Sequence, residues 1–506
     1  MVPQKHGLFS CNNNACPYPL GRVVGGSSTI NWMMYVRGNR RDYDHWEALG
    51  NPGWNYNTVL PYFKKAETYR GTRNFQTAAY HGTAGPLSVD DKRWSSTVLD
   101  GFLKAGQELG YDVVDPNGPE QIGFAVADVT QLNGQRSSVA EAYLRPALSQ
   151  GNLHVIPEAH VTKILFDDQK RAVGVRFDHR GKARTVLAKR EVVVSAGTIG
   201  SPRLLMLSGI GPAQHLTDHS IPVLVDLPGV GSNLQDHPAV VGLSWTVKPG
   251  SASRLLDLIN PAHIRNYIQN RQGPLTNPLA VEGYAWGLAE EGDPYWPEFQ
   301  YLFFSGTPAA DAGLVLTDLL GFRRDFFQQY FGPIKGKDGF NILPLLARQK
   351  SRGTVRLRSG DPHESPLIDP NFLSHPDDVA AFIRGIKFIL GIGNTTALKS
   401  DHEAKFHDKV LPGCEREVYG SDSYWACYTR HTAKTMYHPA GTCKMAPSSD
   451  PLGVVDHTLK LRGVRGVRVV DASIMPQIVT GNLNAPTIMI GERAADLIKQ
   501  DWGILI

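Results

Sequence analysis

Two side chains in the last quarter of the chain are of types suited to removing hydrogen from an alcohol. His438 lies in the segment YHPAGTCKM, and Asn484 follows in the segment GNLNAPTIMI. Oxidation of an alcohol carbon requires a base for the hydroxyl proton, and histidine has an unperturbed pKa close to neutrality. The amide of Asn484 can hold an alcohol oxygen at any pH. The two residues therefore predict a base and a positioning group.

Both residues also have a purely structural interpretation. The chain contains 17 histidines, and an isolated histidine more often packs in a fold than takes part in catalysis. Asn484 stands just before Ala485, Pro486 and Thr487, where a helical pattern begins, so its side chain can cap that helix. Capping and positioning are compatible, so both interpretations of Asn484 stay open.

Glycines and serines near the N-terminus form a second pattern. Gly25 and Gly26 precede Ser27 and Ser28 in the stretch GRVVGGSSTINWMMYVRG. An apolar run, a glycine turn and two potential helix caps predict a strand, a turn and a helix over residues 21–38. Glycines at such a turn let a ligand approach the backbone. The pair alone is weak evidence, since glycine pairs mark turns in proteins of every kind.

Residues 191–212, EVVVSAGTIGSPRLLMLSGIGP, predict a buried strand, a glycine turn and a helix. Ser201 is expected to cap that helix, Pro202 to occupy its first position and Gly209 to follow its end.

The C-terminal part predicts three further elements. Alternation around Val355 and Leu357 predicts a strand, and residues 467–476 predict another strand that ends at Asp471. A final helix is expected from about Ala485 to Lys499.

Composition excludes several classes of protein. The chain has 506 residues, 42% of them hydrophobic, and a net charge of +4, which fits a large globular fold of two or three domains. The chain has no run of lysines and arginines of the kind that binds nucleic-acid phosphates, so a nucleic-acid partner is not expected. No apolar run is long enough for a transmembrane helix, and no motif predicts a metal site.

The five cysteines are too few for a disulfide framework in a chain of this length. Cys11 with Cys16, and Cys414 with Cys427, are spaced so that each pair can form a disulfide. Free thiols are an equally good interpretation.

The segments around His438 and Asn484 resemble the active-site region of the glucose–methanol–choline (GMC) oxidoreductases. The strings GRVVGGSSTINWMMYVRGNRRDYDHW and GTIGSPRLLMLSGIGP resemble two family signatures, and VGSNLQDHP resembles another family marker. The likeness covers nearly the whole chain and is closest to an arthropod branch of glucose dehydrogenases. It implies oxidation of a primary or secondary alcohol or of a sugar. Hydride would pass to flavin N5, with His438 as base and Asn484 as its partner.

The resemblance implies FAD as the cofactor. Choline-oxidising members bond the flavin through a histidine, and Ile30 occupies that place here, so the FAD is expected to be non-covalent. The start of the C-terminal helix would face the flavin. The implied contacts are Val24, Gly25, Gly26, Ser27, Ser28, Asn31, Trp32, Met33, Met34, Val161, Asp471, Ala472, Ala485 and Thr487.

The implied fold class is α/β plus an antiparallel sheet (α+β), with an FAD-binding domain interwoven with a substrate-binding domain. The parallel sheet is expected from residues near 21–40, 155–240 and 465–500, and the antiparallel sheet from about 241–430. The proposed divisions are residues 1–240 for an incomplete FAD-binding domain, 241–348 for the substrate-binding region, and 349–500 for the C-terminal part, which returns to the FAD at 435–500.

GMC proteins carry a βαβ unit with a GxGxxG turn ahead of the first signature, and this chain does not contain that pattern. Because the turn binds the FAD pyrophosphate, the resemblance implies a truncated FAD-binding domain with an open sheet edge. It also implies weaker FAD binding than in a chain extended upstream. A preceding segment would carry any signal peptide, so the location, secretion included, stays open.

Two classes of function stay open at this point. One is an FAD-dependent alcohol or sugar dehydrogenase that passes electrons to a quinone or to oxygen. The other is a non-catalytic relative that cannot retain FAD. The substrate does not follow from the sequence, because residues 241–348 match the family poorly.

Overall fold

The computed structural model describes residues 1–72, 77–277, 280–287 and 293–504. Parts of the predicted substrate-binding region, residues 278–279 and 288–292, lie outside these ranges. The α-helices are α1 (Arg40–Ala48), α2 (Tyr56–Ala66), α3 (Thr97–Glu108), α4 (Arg145–Ala147), α5 (Gly197–Leu207), α6 (Ala213–Asp218), α7 (Pro261–Asn270), α8 (Leu316–Leu319), α9 (Arg324–Phe331), α10 (Pro376–Gly393), α11 (Thr396–Lys399), α12 (Asp422–Thr432) and α13 (Asn484–Asp501).

The strands are β1 (Glu67–Tyr69), β2 (Leu87–Val89), β3 (Gly123–Val126), β4 (Gln131–Leu132), β5 (Gln135–Arg136), β6 (Ala159–Phe166), β7 (Ala172–His179), β8 (Lys182–Leu187), β9 (Val192–Val194), β10 (Ile210–Gly211), β11 (Val225–Asp226), β12 (Pro238–Val240), β13 (Ser244–Thr246), β14 (Val281–Gly287), β15 (Phe299–Phe304), β16 (Gly339–Leu346), β17 (Thr354–Arg356), β18 (Leu367–Asp369), β19 (Lys405–Phe406), β20 (Ala433–Thr435) and β21 (Val467–Val469).

One antiparallel sheet of eight strands organises much of the described chain. Its main path is β19-β13-β16-β15-β14-β3, and β12 joins it by pairing with β16 and with β20. The strands come from all three of the sequence ranges proposed as domains. The chain therefore leaves this sheet and returns to it, as the expectation of interwoven domains implies.

The two faces of the sheet carry different neighbours. On β15, the rings of Phe299 and Tyr301 pack against α10, and Phe303 stacks on Phe102 of α3. Because side chains alternate along a strand, Gln300 and Phe304 project to the opposite face. That opposite face supports the candidate site described below.

The parallel component of the fold is small. β9 and β21 pair in parallel, with Val192 opposite Val467, while β6, β7 and β8 form an antiparallel sheet. Among the described residues, β9 pairs with β21 alone. Of the parallel sheet predicted from residues near 21–40, 155–240 and 465–500, the structure contains this pair and a separate parallel pair of β10 and β11, and residues 21–40 contribute no strand.

The strand predicted at the start of residues 21–38 was wrong. Val23 and Val24 are exposed at 50% and 44%, and neither lies in a strand. Gly25 and Gly26 have positive φ angles of 91° and 57°, and a single 3-10 helix, Gly26–Thr29, follows them. The left-handed glycines turn the chain before an extended strand can form.

Helix α5 begins earlier than predicted. Gly197 is its first residue, so Pro202 lies inside the helix and Ser201 does not cap it. The carboxylate of Asp471, which follows β21, accepts hydrogen bonds from the backbone N–H of Gly197 at 2.9 Å and the Ser201 hydroxyl at 2.5 Å. A distant acid therefore fixes this helix start, while Gly209, with φ 87°, follows the helix end as predicted.

Other C-terminal predictions are confirmed. Val355 and Leu357 are buried, and Val355 lies on β17, which pairs with β18. The last helix, α13, extends slightly beyond both predicted ends.

Of the two cysteine pairs that the sequence left open, the structure joins Cys414 to Cys427 in a disulfide. Cys11 and Cys16 are buried free thiols. Within the described ranges, no helix combines the length and apolar character that a bilayer span requires.

The connection between β21 and α5 gives a stability prediction. Replacing Asp471 with alanine leaves the amides of Gly197 and Ser473 and the Ser201 hydroxyl without their acceptor. We expect a loss of about 3 kcal/mol in the free energy of unfolding, measured by urea denaturation. Asp471→Asn, which keeps one acceptor oxygen, should lose less. Equal stability of Asp471→Ala and the parent chain would contradict this account.

Candidate active site

His438 lies in a turn after β20 that is held by the buried carboxylate of Asp236. One oxygen of Asp236 accepts the backbone N–H of His438 at 2.9 Å, and the other accepts the hydroxyls of Thr435 and Tyr18 at 2.5 and 2.6 Å. Burial raises the pKa of Asp236 to about 6. Tyr437 has a φ of 61°, an uncommon backbone state for a non-glycine residue, and its N–H donates to Thr435 Oγ1. The catalytic candidate is thus presented by a constrained turn.

Strand pairing brings a second histidine to this turn. β12 begins just after His237, and β20 ends just before Met436. In their antiparallel pairing, Pro238 lies opposite Thr435, and the N–H of Met436 donates to the carbonyl of His237. The side chain of His237 therefore lies beside that of His438. The sequence contains His237 within a family marker, but nothing in the pattern alone indicates that the two imidazoles meet.

Both ring nitrogens of His438 have close polar neighbours. Nδ1 lies 3.0 Å from Nδ1 of His237, with the rings edge to face at 87°. Nε2 lies 3.1 Å from Nδ2 of Asn482. The other atom of that amide, Oδ1, accepts a hydrogen bond from Gln300 Nε2 at 3.2 Å. The network thus runs from the large sheet through Asn482 to the two histidines.

From this network we assign the proton on His438. An amide nitrogen is only a donor, so Nε2 of His438 must accept from Asn482. The neutral imidazole then carries its proton on Nδ1 and donates it to Nδ1 of His237. Nε2 of His237 is buried and has no hydrogen-bond partner among the described residues, so the contact between the two Nδ1 atoms is the one that orients this ring. The lone pair on Nε2 of His438 thus accepts from Asn482, and it can take a proton from a donor that replaces this amide.

The electrostatic environment keeps both rings neutral. Desolvation lowers the pKa of His438 to about 4. Desolvation and the neighbouring His438 lower the pKa of His237 well below its usual value. At neutral pH, His438 is therefore an unprotonated acceptor, which is the state that a general base requires.

Asn484 does not cap the last helix. It is the first residue of α13, whose N-cap is Leu483, and no side chain caps the helix. The capping interpretation is therefore wrong. Within the described part of the chain, the Asn484 side chain makes no hydrogen bond, and the amide that reaches His438 belongs to Asn482. Two asparagines two positions apart cannot be distinguished by pattern; the backbone path through Leu483 decides which one meets the imidazole.

The N-terminal segment predicted to contact the cofactor, residues 24–34, packs against the turn that presents His438. The ring of Trp32 packs edge-on against Tyr437 and Phe304, with centroids 6.4 and 5.5 Å away. Asn31 Oδ1 accepts hydrogen bonds from Arg136 and from the N–H of Met33. Trp32 is thus the member of this segment that lies next to the catalytic candidate.

The remaining residues of this segment have local roles. The Ser28 hydroxyl donates to the Gly25 carbonyl and accepts the N–H of Val139, and Ser27 Oγ accepts the N–H of Gly21. Met34 is buried and forms a bridge with Val129.

Three other predicted cofactor residues lie farther along the chain. Val161 is on β6, opposite Phe177, and is 36% exposed. The carboxylate of Asp471 already accepts hydrogen bonds from the start of α5 and from the N–H of Ser473. The carbonyl of Ala472 accepts the N–H of Gly441, which connects this loop to the histidine turn.

Two observations fit an FAD at this site. The first turn of α13, which includes Ala485, has no side-chain cap, so the N–H groups at its start lack a capping acceptor; the N–H of Thr487 already donates to the Leu483 carbonyl. Such a helix start favours an anionic group. At Gly26, an added Cβ would meet no atom within 4 Å, so the backbone is open to a ligand. Thr487 itself donates its hydroxyl to the Leu483 carbonyl.

Comparison with known proteins decides the family. Residues 2–239 match the N-terminal model of the GMC oxidoreductases, and residues 349–491 match the C-terminal model. The chain belongs to the GMC oxidoreductase family. It is 39% identical over 99% of its length to glucose dehydrogenase [FAD, quinone] of Drosophila melanogaster, covering 77% of that protein. It is 39% identical to the oxygen-dependent choline dehydrogenase of Brucella anthropi over 95% of its length, covering 82% of that protein.

Solved structures of the same fold agree with this assignment. A formate oxidase of Aspergillus oryzae superposes with a TM-score of 0.83 at 27% identity, over 96% of this chain and 85% of that one. Pyridoxine 4-oxidase of Mesorbium loti gives 0.80 at 25% identity, over 98% and 88%. This GMC protein is an oxidoreductase that acts on CH–OH donors, and FAD is its cofactor.

The assigned tautomer gives a prediction for His237. His237→Phe removes the acceptor for the Nδ1 proton of His438. We expect Nε2 to become protonated, which is visible in the ¹⁵N NMR shifts of His438, and flavin reduction to slow about tenfold or more. His237→Gln, whose amide oxygen can still accept, should restore much of the rate. An unchanged tautomer in His237→Phe would refute this positioning role.

The lowered pKa of His438 predicts a dependence of stability on pH. The unfolded chain binds a proton at His438 below about pH 6.5, whereas the folded chain resists it until about pH 4. This site therefore reduces stability as the pH falls between those values, by up to about 1.4 kcal/mol per pH unit.

Urea denaturation of the parent and of His438→Gln across this pH range tests that prediction. The substitution should lessen the acid sensitivity, while His154→Gln, at an exposed histidine, controls for the change of residue type. Parallel curves for the parent and His438→Gln would show that the site does not resist protonation.

Proposed function

We propose that this chain oxidises a primary or secondary alcohol or a sugar, with His438 as the base. When bound, FAD supplies the acceptor for the hydride. The observation that carries the proposal is the buried imidazole of His438, whose Nε2 lies 3.1 Å from the Asn482 amide and whose Nδ1 lies 3.0 Å from His237. The alternative of a non-catalytic relative is not favoured, since the chain resembles a glucose dehydrogenase along 99% of its length.

In this proposal the alcohol hydroxyl replaces the Asn482 amide as the donor to His438 Nε2. The imidazole takes that proton as the C–H bond breaks and keeps its other proton on Nδ1, toward His237. Asn484, whose side chain has no partner in the described structure, is proposed to hold the alcohol oxygen or the flavin. Because burial disfavours the imidazolium, the proton should pass onward before the next cycle.

The cofactor is proposed to be held without a covalent bond. Ile30, where choline-oxidising members carry the bonding histidine, is an exposed aliphatic residue. The uncapped start of α13 would stabilise negative charge at the flavin pyrimidine. The electron acceptor is proposed to be a quinone or oxygen, the two acceptors named for the relatives of this chain.

Flavin reduction by an alcohol in a single turnover tests the role of His438. His438→Ala should lower the rate about 10²–10⁴-fold, the range for a positioned base, and should keep its FAD content, because the imidazole serves the alcohol. Asn482→Ala and Asn484→Ala, compared in parallel, show which amide acts in the reaction. Full-rate reduction by flavin-loaded His438→Ala would leave His438 as a structural residue.

Acid precipitation of the yellow protein tests the form of attachment. We expect the flavin absorbance to remain in the supernatant, because Ile30 cannot bond to the isoalloxazine. Flavin that sediments with the denatured chain would demonstrate a covalent link elsewhere.

A further inference from the structure

A cavity of about 200 Å³ lies on the same side of the large sheet as the histidine network. Phe304 in its wall shares a strand face with Gln300, which bonds to Asn482. Met436 in its wall is two residues before His438, and the hydroxyl of Tyr437 donates to the carbonyl of Leu319, another wall residue. The cavity therefore adjoins the turn that presents the proposed base.

The wall of this cavity is mostly hydrocarbon. Aliphatic and aromatic side chains from β15, β16, α8 and nearby loops surround it, among them Trp32, Leu258, Phe304, Leu316 and Leu343. Leu258 and Val315 also reach the protein surface, with 37% and 56% exposure. The cavity thus opens to solvent through an apolar mouth.

Charged groups in the wall are already engaged. The carboxylate of Asp311 accepts three backbone N–H groups, from residues 313, 315 and 316, at 2.8, 2.6 and 2.6 Å. The guanidinium of Arg254 pairs with Asp338 at 3.3 Å. Ser253 Oγ lies 2.7 Å from the hydroxyl of Ser305. The hydrogen-bonding capacity of these groups is therefore taken up within the protein and not directed at a ligand.

Two amide oxygens in the wall have no such role. Oδ1 of Asn277 and Oδ1 of Asn341 are buried and lack a hydrogen-bond partner among the described residues. Asn341 is only 4% exposed. A buried acceptor without a partner is costly, and a ligand hydroxyl or N–H would satisfy it. The cavity thus offers few polar contacts within an apolar surface.

We infer that this cavity binds an apolar alcohol with a hydrocarbon body and few polar groups. A sugar carries a hydroxyl on nearly every carbon, and each would lose its water contacts here without a replacement. A quaternary ammonium alcohol would bring a cation to a mostly apolar wall, in which the oxygens of the Asp311 carboxylate already accept three backbone N–H groups. Oxidation of the bound alcohol rests on the proposed function, whereas its binding does not.

Calorimetric titration of the purified chain with 1-butanol, 1-hexanol, 1-octanol, D-glucose and choline tests the inference. Each added CH₂ should raise the affinity about fourfold, as expected for transfer of hydrocarbon from water. Glucose and choline should bind more weakly than octanol. A flat series, or tighter binding of glucose or choline, would overturn the inference.

Matched variants locate the site. Leu258→Asp and Val315→Asp place a carboxylate in the mouth, and each should weaken octanol binding about tenfold or more. Leu256→Asp and Leu314→Asp alter neighbouring surface residues that are 67% and 75% exposed and should leave binding unchanged. Circular dichroism confirms folding of all four. Equal effects in the two pairs would place octanol elsewhere and refute the assignment.

Failure of the inference can be distinguished from failure of the proposed function. If octanol binds at this mouth but does not reduce the flavin, the cavity assignment stands and the proposed reaction fails. If glucose reduces the flavin while octanol does not bind, the reaction stands and the inferred substrate class is wrong.

Discussion

The candidate site depends on the antiparallel pairing of two short strands, β12 and β20. This pairing places Asp236 and His237, just before one strand, against the turn that follows the other. Asp236 then fixes the backbone of His438, and His237 contacts its ring. Since β12 also pairs with β16, the turn is attached to the large sheet, and the position of the imidazole follows from that of the sheet.

Burial has two effects on this arrangement. It removes water from two imidazoles whose Nδ1 atoms are 3.0 Å apart, so both rings stay neutral. It also leaves the protein's own hydrogen-bonding groups to determine which ring nitrogen carries the proton. Neutrality leaves His438 able to accept a proton but disfavours keeping one. A base in this environment can act repeatedly only if it passes the proton to another group. The reaction therefore depends on the groups around the ring as well as on the histidine.

The large sheet connects this chemistry to the apolar cavity. Gln300 and Phe304 lie on one face of β15; the first bonds to the amide that contacts His438, and the second forms part of the cavity wall. A molecule in the cavity would therefore lie on the same rigid surface as the base. Rigid elements hold reacting groups in place more precisely than loops do. Here one face of β15 supports both the proposed base and the cavity.

The sequence by itself determined the family, the parallel strands β9 and β21 and the final helix, because these depend on local apolar runs, helical periodicity and rare residue strings; the catalytic role of His438 stays a prediction. It failed at Val24, which was expected in a strand, and at Asn484 as the expected helix cap. Whether Val24 lies in a strand depends on a pairing partner, and whether Asn484 or Asn482 meets the imidazole depends on the turn through Leu483. The contact with His237, the start of α5 set by Asp471, and the cavity likewise join residues far apart in the chain. Such contacts have no local signal, so only the tertiary structure decided them.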